Sequence, residues 1–178
     1  MFVDVKGCTW RHATDVRCVH TDMGVWYEIA DSKDFKEFFE DDLYCTTANY
    51  TLETAGYVQV DNSGRYKGPT GKLKAAIGKG MEVDGAKLKV SFGGPVYAPY
   101  WVIDLMGEAS DGFSVALVWS CTDILNIASF KNLWVLSRTP TLPAGVTLDK
   151  LYSKAQSMGI DVHSLSMLPT PQPSNCLY

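Results

Sequence analysis

No run of about twenty apolar residues occurs in the 178-residue chain, so it holds no helix able to span a bilayer. Clustered cations are missing as well. Sixteen Lys and Arg against twenty Asp and Glu leave a net charge of −4, and a nucleic-acid partner, whose phosphates need concentrated positive charge, is excluded. The opening Met1-Phe2-Val3-Asp4 lacks the basic segment and apolar run of a signal peptide. None of the five cysteines stands in a Cys-x-x-Cys pair, and His12, His20 and His163 complete no ligand spacing, so no metal site is expected. Gly78-Lys79-Gly80 and Gly93-Gly94 do not continue into a Gly-Lys-Ser/Thr ahead of a helix; they read as bends and turns.

What remains is rich in strands. The length suits one domain, expected to span residues 1–178. A composition of 46% hydrophobic and 20% charged residues is that of an ordinary soluble domain. A chain of this size can hold a full core or an internal cavity. Gly24-Val25-Trp26-Tyr27-Glu28-Ile29 begins on a glycine, where the backbone can turn sharply, and sets Trp26, Glu28 and Ala30 on one face. Cys45 to Leu52 is rich in β-branched residues and contains the sequon Asn49-Tyr50-Thr51. A glycan on Asn49 requires that side chain to point outward, which sends Thr46, Ala48, Tyr50 and Leu52 inward. Further strands are expected at 57–62, 72–78, 87–92, 100–105, 114–119 and 133–138. Eight short strands separated by turns, with no helix between them, indicate a sandwich or a barrel.

The flanks read differently. Residues 1–23 form an irregular arm, and 24–138 hold the strands. Asp31 to Asp42 reads as an acidic loop whose Phe35, Phe38 and Phe39, with Leu43 just beyond, either fold over a cavity mouth or pack against a neighbour. A helix is expected over 143–158, with Pro143 in its first turn, Val146, Leu148, Leu151, Tyr152 and Ala155 at helical spacing, and Gly159 stopping it. The tail, 168–178, reads as coil.

Two motifs about 110 residues apart bear on closure of the sheet. Trp26 needs a large apolar seat, and Arg138, which ends Leu136-Ser137-Arg138, could lay its guanidinium over the indole. If they meet, the first and last strands are neighbours and the sheet is closed. Together Gly24-Val25-Trp26 and Leu136-Ser137-Arg138 resemble the lipocalins, in the group of apolipoprotein D and the bilin-binding members. Ala98-Pro99-Tyr100-Trp101-Val102-Ile103 and Ala116-Leu117-Val118-Trp119-Ser120-Cys121 look like the sixth and seventh strands of that group. The Thr-Asp motif usual before the seventh strand appears as Ser110-Asp111, and a few extra residues follow Ile103.

The resemblance implies an all-β fold: an eight-stranded antiparallel up-and-down barrel with one C-terminal helix packed outside. Gly24, Trp26 and Arg138 take structural roles at its closed floor. It also implies two disulfides, Cys8 with Cys121 and Cys45 with Cys176, and hence an oxidising, extracellular location. Cys18 has no counterpart in the family. By strand parity Tyr50, Val58, Val60, Asn62, Tyr100, Val118 and Trp134 line the interior, with Glu28 lower down, and the interior is wide enough for one small ligand.

Three readings stay open. The first is a secreted binding or transport protein, not an enzyme, with no obligatory cofactor. Its hydrophobic ligand is a bilin such as biliverdin ahead of a carotenoid, fatty acid or steroid, because flat conjugated rings stack on Tyr and Trp. The second is a thiol-dependent isomerase like the lipocalin that isomerises prostaglandins, which needs a free cysteine inside the barrel. The third is an interaction module with a filled barrel. The phenylalanines of 35–39 and Cys18 also favour a homo-oligomer.

Overall fold

The computed structural model describes residues 23–107, 112–124 and 128–178. Nine strands lie in one sheet: β1 Gly24–Asp31, β2 Leu43–Leu52, β3 Val58–Tyr66, β4 Lys72–Asp84, β5 Lys87–Ser91, β6 Ala98–Met106, β7 Val115–Ile124, β8 Ala128–Ser137 and β9 Leu168–Pro169. β2 to β8 pair antiparallel in chain order. β1 then pairs with both β8 and β2, so eight strands close into a barrel. The expected closure of first strand on last is met at its predicted contact. The Arg138 guanidinium lies 3.9 Å from the centre of the Trp26 ring, and its Nη1 donates to the Val25 carbonyl at 3.0 Å. Gly24 has φ +92°, which an L side chain rarely adopts, and a Cβ there would stand 3.5 Å from that same Nη1.

One outer face of the barrel is covered. Helix α2, Leu148–Ser157, buries Leu151 and Ala155 against Leu117, Trp119, Leu133 and Val135. It starts later than the sequence suggests. Thr147 takes the N-cap, its side chain accepting from the Lys150 amide, and Pro143 sits in the preceding turn, where its carbonyl accepts from the Val146 amide. Gly159, at φ +89°, follows the last turn as expected. A short helix α3, Val162–Leu165, completes the cover.

Three local expectations are corrected. Residues 31–42 are not a loop: Lys33–Phe39 forms helix α1, too short at seven residues for its periodicity to stand out in the sequence. Gly78 and Gly80 are not bends but buried positions inside β4, paired with Val60 and Val58. A Cβ on Gly78 would come within 2.8 Å of the Phe92 ring, so the glycine makes room inside the barrel and does not break the strand. Leu52, expected inward, is 42% exposed at the end of β2.

The tail is also more than coil. β1 pairs with β2 only over Gly24–Tyr27; beyond that, Ala30 and Asp31 pair with Pro169 and Leu168. The tail stands in the gap between the two strands. The Thr170 amide donates to the Ile29 carbonyl, and the Cys45 amide donates to the Pro171 carbonyl. Gln172 Nε2 donates to the carbonyls of both Glu28 and Thr46, at 2.9 and 2.8 Å. The Cys45–Cys176 disulfide fastens this arrangement across 131 residues. Cys121 is disulfide-bonded too, while Cys8, Cys18, residues 1–22 of the expected arm and Ser110-Asp111 lie outside the described residues.

Candidate functional site

Alternation along each strand sends one set of side chains inward, and at the α1 end they do not fill the space. A cavity of about 580 Å³ opens there, within the ~300–1,000 Å³ usual for small-molecule sites. Phe35 and Phe39 of α1 line it beside Phe92, Tyr100, Phe130 and Trp134. The rings touch: Phe35 meets Trp134 edge-on with centroids 5.1 Å apart, and Trp134 lies 5.8 Å from Tyr100. At the base Tyr50 and Tyr100 join hydroxyl to hydroxyl at 2.6 Å. Below them a space of only about 40 Å³ remains, bounded by Trp26, Val58, Leu88 and Val118.

The residues singled out in the sequence divide between these levels. Asn62, Trp134 and also Glu28, expected lower down, line the upper cavity, while Tyr50, Val60 and Tyr100 border both. Val58 and Val118 belong to the lower space, where packing leaves no room for a ligand. Asn49 borders neither space. Thr46 and Ala48 line the cavity as alternation predicts, whereas Thr47, Phe92 and Phe130 were missed as cavity residues. Thr47 lies just past Cys45, at φ +58°, where the β2–β3 register shifts between Tyr44 and Thr47, an irregularity that alternation does not announce.

Glu28 is not a free polar group. Lys36, reaching back from α1, donates to its Oε1 at 2.7 Å and to Glu40 Oε2 at 3.3 Å. Thr170 donates a further short hydrogen bond to Glu28. Asp31, fully buried, accepts from the Ser32 amide at 2.6 Å and leaves Oδ2 with no partner among the described residues. Three carboxyl groups thus share one ammonium. Burial first, and then the charge of Glu28, hold the Asp31 carboxyl well above its usual range; the same causes push Glu40 up to about 8. Burial draws Lys36 down, but Glu28 and Glu40 outweigh it and its affinity for the proton is raised. Glu28, Asp31 and Glu40 stand close enough together to hold a cation, but the Lys36 ammonium already fills that role.

A closed barrel, packed solid at one end, hollow and aromatic at the other and backed by one long helix, defines a calyx for a small molecule. The family model of the lipocalin-like domain matches residues 19–170, and the chain belongs to the lipocalin family. Among its relatives, the outer membrane lipoprotein Blc of Vibrio cholerae is 36% identical over 146 residues, 80% of this chain and 77% of that protein. Mouse apolipoprotein D is 32% identical over 159 residues, 86% of this chain and 76% of its own. Lobster apocrustacyanin A1 shares the fold with a TM-score of 0.69 at 20% identity, over 90% of this chain and 83% of that one. Insecticyanin of the tobacco hornworm does so with a TM-score of 0.67 at 19% identity, over 94% and 90%.

Proposed function

We propose that the protein binds and carries one small hydrophobic molecule in the upper cavity, outside the cytoplasm, and catalyses nothing. The aromatic wall of Phe35, Phe39, Tyr100, Phe130 and Trp134 around about 580 Å³ supports this reading. Flat conjugated faces stack well on such a wall, which favours a bilin over a carotenoid, fatty acid or steroid. The ligand-contacting set is then Tyr50, Val60, Asn62, Tyr100 and Trp134, with the phenylalanines of α1 as a cover. Two observations speak against the alternatives. Cys45, Cys121 and Cys176 are all held in disulfides, which removes their thiols from isomerase chemistry, and a cavity of this size is not a filled barrel. The disulfides also favour an oxidising compartment.

Absorbance titration with biliverdin, with a carotenoid and a fatty acid as competitors, tests the proposal. A saturable red-shifted band with quenched tryptophan fluorescence supports a bilin carrier. Quenching by fatty acid alone moves the reading to a lipid carrier. No response to any of the three returns it to an interaction module.

A further inference from the structure

The outside of the barrel differs from side to side. α2 and α3 pack on β7 and β8, whereas no described element covers the outer face of β4. A bare outer face of an antiparallel sheet normally carries polar side chains. That of β2 and β3 does: Asn49 and Thr51 pair with Asp61 and Gln59. β4 breaks the rule. Gly78 and Gly80 face inward, against Phe92 and Leu88, which turns Leu73, Ile77, Lys79 and Met81 outward. Leu73 is 51% exposed, Ile77 69%, Met81 38% and Val83, beside the bulge, 58%. These four large apolar side chains make a row roughly 33 Å long on one strand.

The charge around the row opposes that of the molecule. Residues 58–91 hold seven Lys and Arg against three Asp and Glu, a charge of +4; the whole chain carries −4, so the remainder carries −8. The cations stand beside the apolar row. Arg65 is the cross-strand neighbour of Leu73, and Lys89 that of Met81. Aromatic rings flank it as well. Lys74 lies 3.7 Å from the centre of the Tyr66 ring, Lys79 3.9 Å from that of Tyr57, and Lys87 5.6 Å from that of Trp101. Lysines with long apolar stems and rings with one polar end are the side chains that settle at a membrane–water boundary.

We infer that the outer face of β3–β5 docks on an anionic lipid surface. Leu73, Ile77, Met81 and Val83 enter the head-group layer, and the surrounding lysines meet lipid phosphates. Charge complementarity calls for an anionic occupant. An acidic protein, or the acidic remainder of a second copy, would have to bury lysines, which protein interfaces disfavour. An anionic bilayer attracts them and leaves their ammonium groups hydrated. Docking of this kind needs no membrane-spanning segment, and it is independent of what the cavity holds.

Flotation of the oxidised protein with lipid vesicles tests this. The vesicles are phosphatidylcholine alone, or phosphatidylcholine with about 30% phosphatidylserine. Binding to the anionic vesicles is expected to be at least roughly tenfold tighter than to the neutral ones, and to fall about tenfold between ~0.05 and ~0.5 M salt. Lys79→Glu with Lys89→Glu should weaken it about tenfold or more, and Ile77→Ser with Met81→Ser about fivefold. All four side chains are exposed, so the variants should fold, which unchanged circular dichroism and melting curves would show. Lys150→Glu with Lys154→Glu makes the same change in net charge on the exposed side of α2 and should leave binding within about twofold. Equal binding to both kinds of vesicle, or an equal loss in the α2 variant, overturns the inference. So does a concentration-dependent dimer, seen by sedimentation velocity and abolished by Ile77→Ser with Met81→Ser, when the vesicles capture nothing; the face would then belong to a second copy. Absence of any vesicle binding overturns it too and leaves the reading of the cavity untouched.

Discussion

At the Trp26 end of the barrel, an indole that is 1% exposed packs on Ala116, Val118 and Leu136 under the Arg138 guanidinium. At the α1 end the same strand, β1, carries Glu28 and Asp31 into a cluster with Lys36 and Glu40. The first end is closed by apolar contact, which tolerates no vacancy. The second is closed by a helix of seven residues and an inserted tail, joined through charges and a disulfide. Apolar packing fixes where the first and last strands meet. A buried ion pair adds little net stability of its own, but it positions α1 over the cavity without filling it. The hollow end is therefore the weaker one by construction.

Removing the keystone of the packed end should have the largest effect. Trp26→Ala is expected to cost about 3–5 kcal/mol, measured by urea unfolding of the oxidised protein. A loss under ~1 kcal/mol would mean that the barrel closes without this contact, and the contrast between the ends would vanish.

At the other end, replacing both Cys45 and Cys176 by serine should cost on the order of 4 kcal/mol, given the 131-residue separation they close. The damage should be local in the native state. Hydrogen exchange of the Thr170 amide and of the amide at position 45, which bond into the tail seam, should accelerate while amides of β1 paired with Thr47–Tyr50 stay protected. Uniform acceleration around the barrel would show that both ends open as one unit.

Lys36→Met tests the ion pair itself. It leaves the buried Glu28 without its 2.7 Å partner and is expected to cost roughly 3 kcal/mol; the double variant with Glu28→Gln should recover most of that. A double variant no better than the single one would show that Lys36 matters as packing. Its charge would then be incidental.

How much of this was legible in the sequence follows the same division. Gly24, Trp26 and Arg138 announced the packed end because a fixed motif and a fixed chemistry coincide there, and the contact is local to the first and last strands. Inward parity also placed Tyr50, Val60, Asn62, Tyr100 and Trp134 on the cavity wall. The polar contacts of the hollow end were opaque. Lys36 reads as one more charge on an acidic stretch until α1 folds back on β1, and Thr170 and Gln172 lie more than 120 residues from the strands they bridge. Alternation carries no information about such contacts. Gly78 and Gly80 show the limit from the other side, since the feature that suggests a bend is here the space another side chain occupies.

The smallest expected effect is the most specific to the hollow end. Glu40 holds its proton up to about pH 8 in the folded protein, through burial first and then the charge of Glu28, whereas an unfolded chain releases it near ~4.3. Between those values the folded state binds more protons than the unfolded one, so stability falls as pH rises from about 4.5 to about 8 and is level beyond. Asp31, raised by the same causes, acts in the same direction. Glu40→Gln removes one titration while keeping an acceptor for Lys36. It should leave stability at pH 5 nearly unchanged and raise it at pH 8.5 by on the order of 1 kcal/mol, or ~2–4 °C in Tm. Thermal melts of both proteins across this range decide the matter. Parallel curves would mean that Glu40 is already ionised at neutral pH, with Lys36 neutralising it, and that the charge at the mouth of the cavity is more negative than the buried cluster implies.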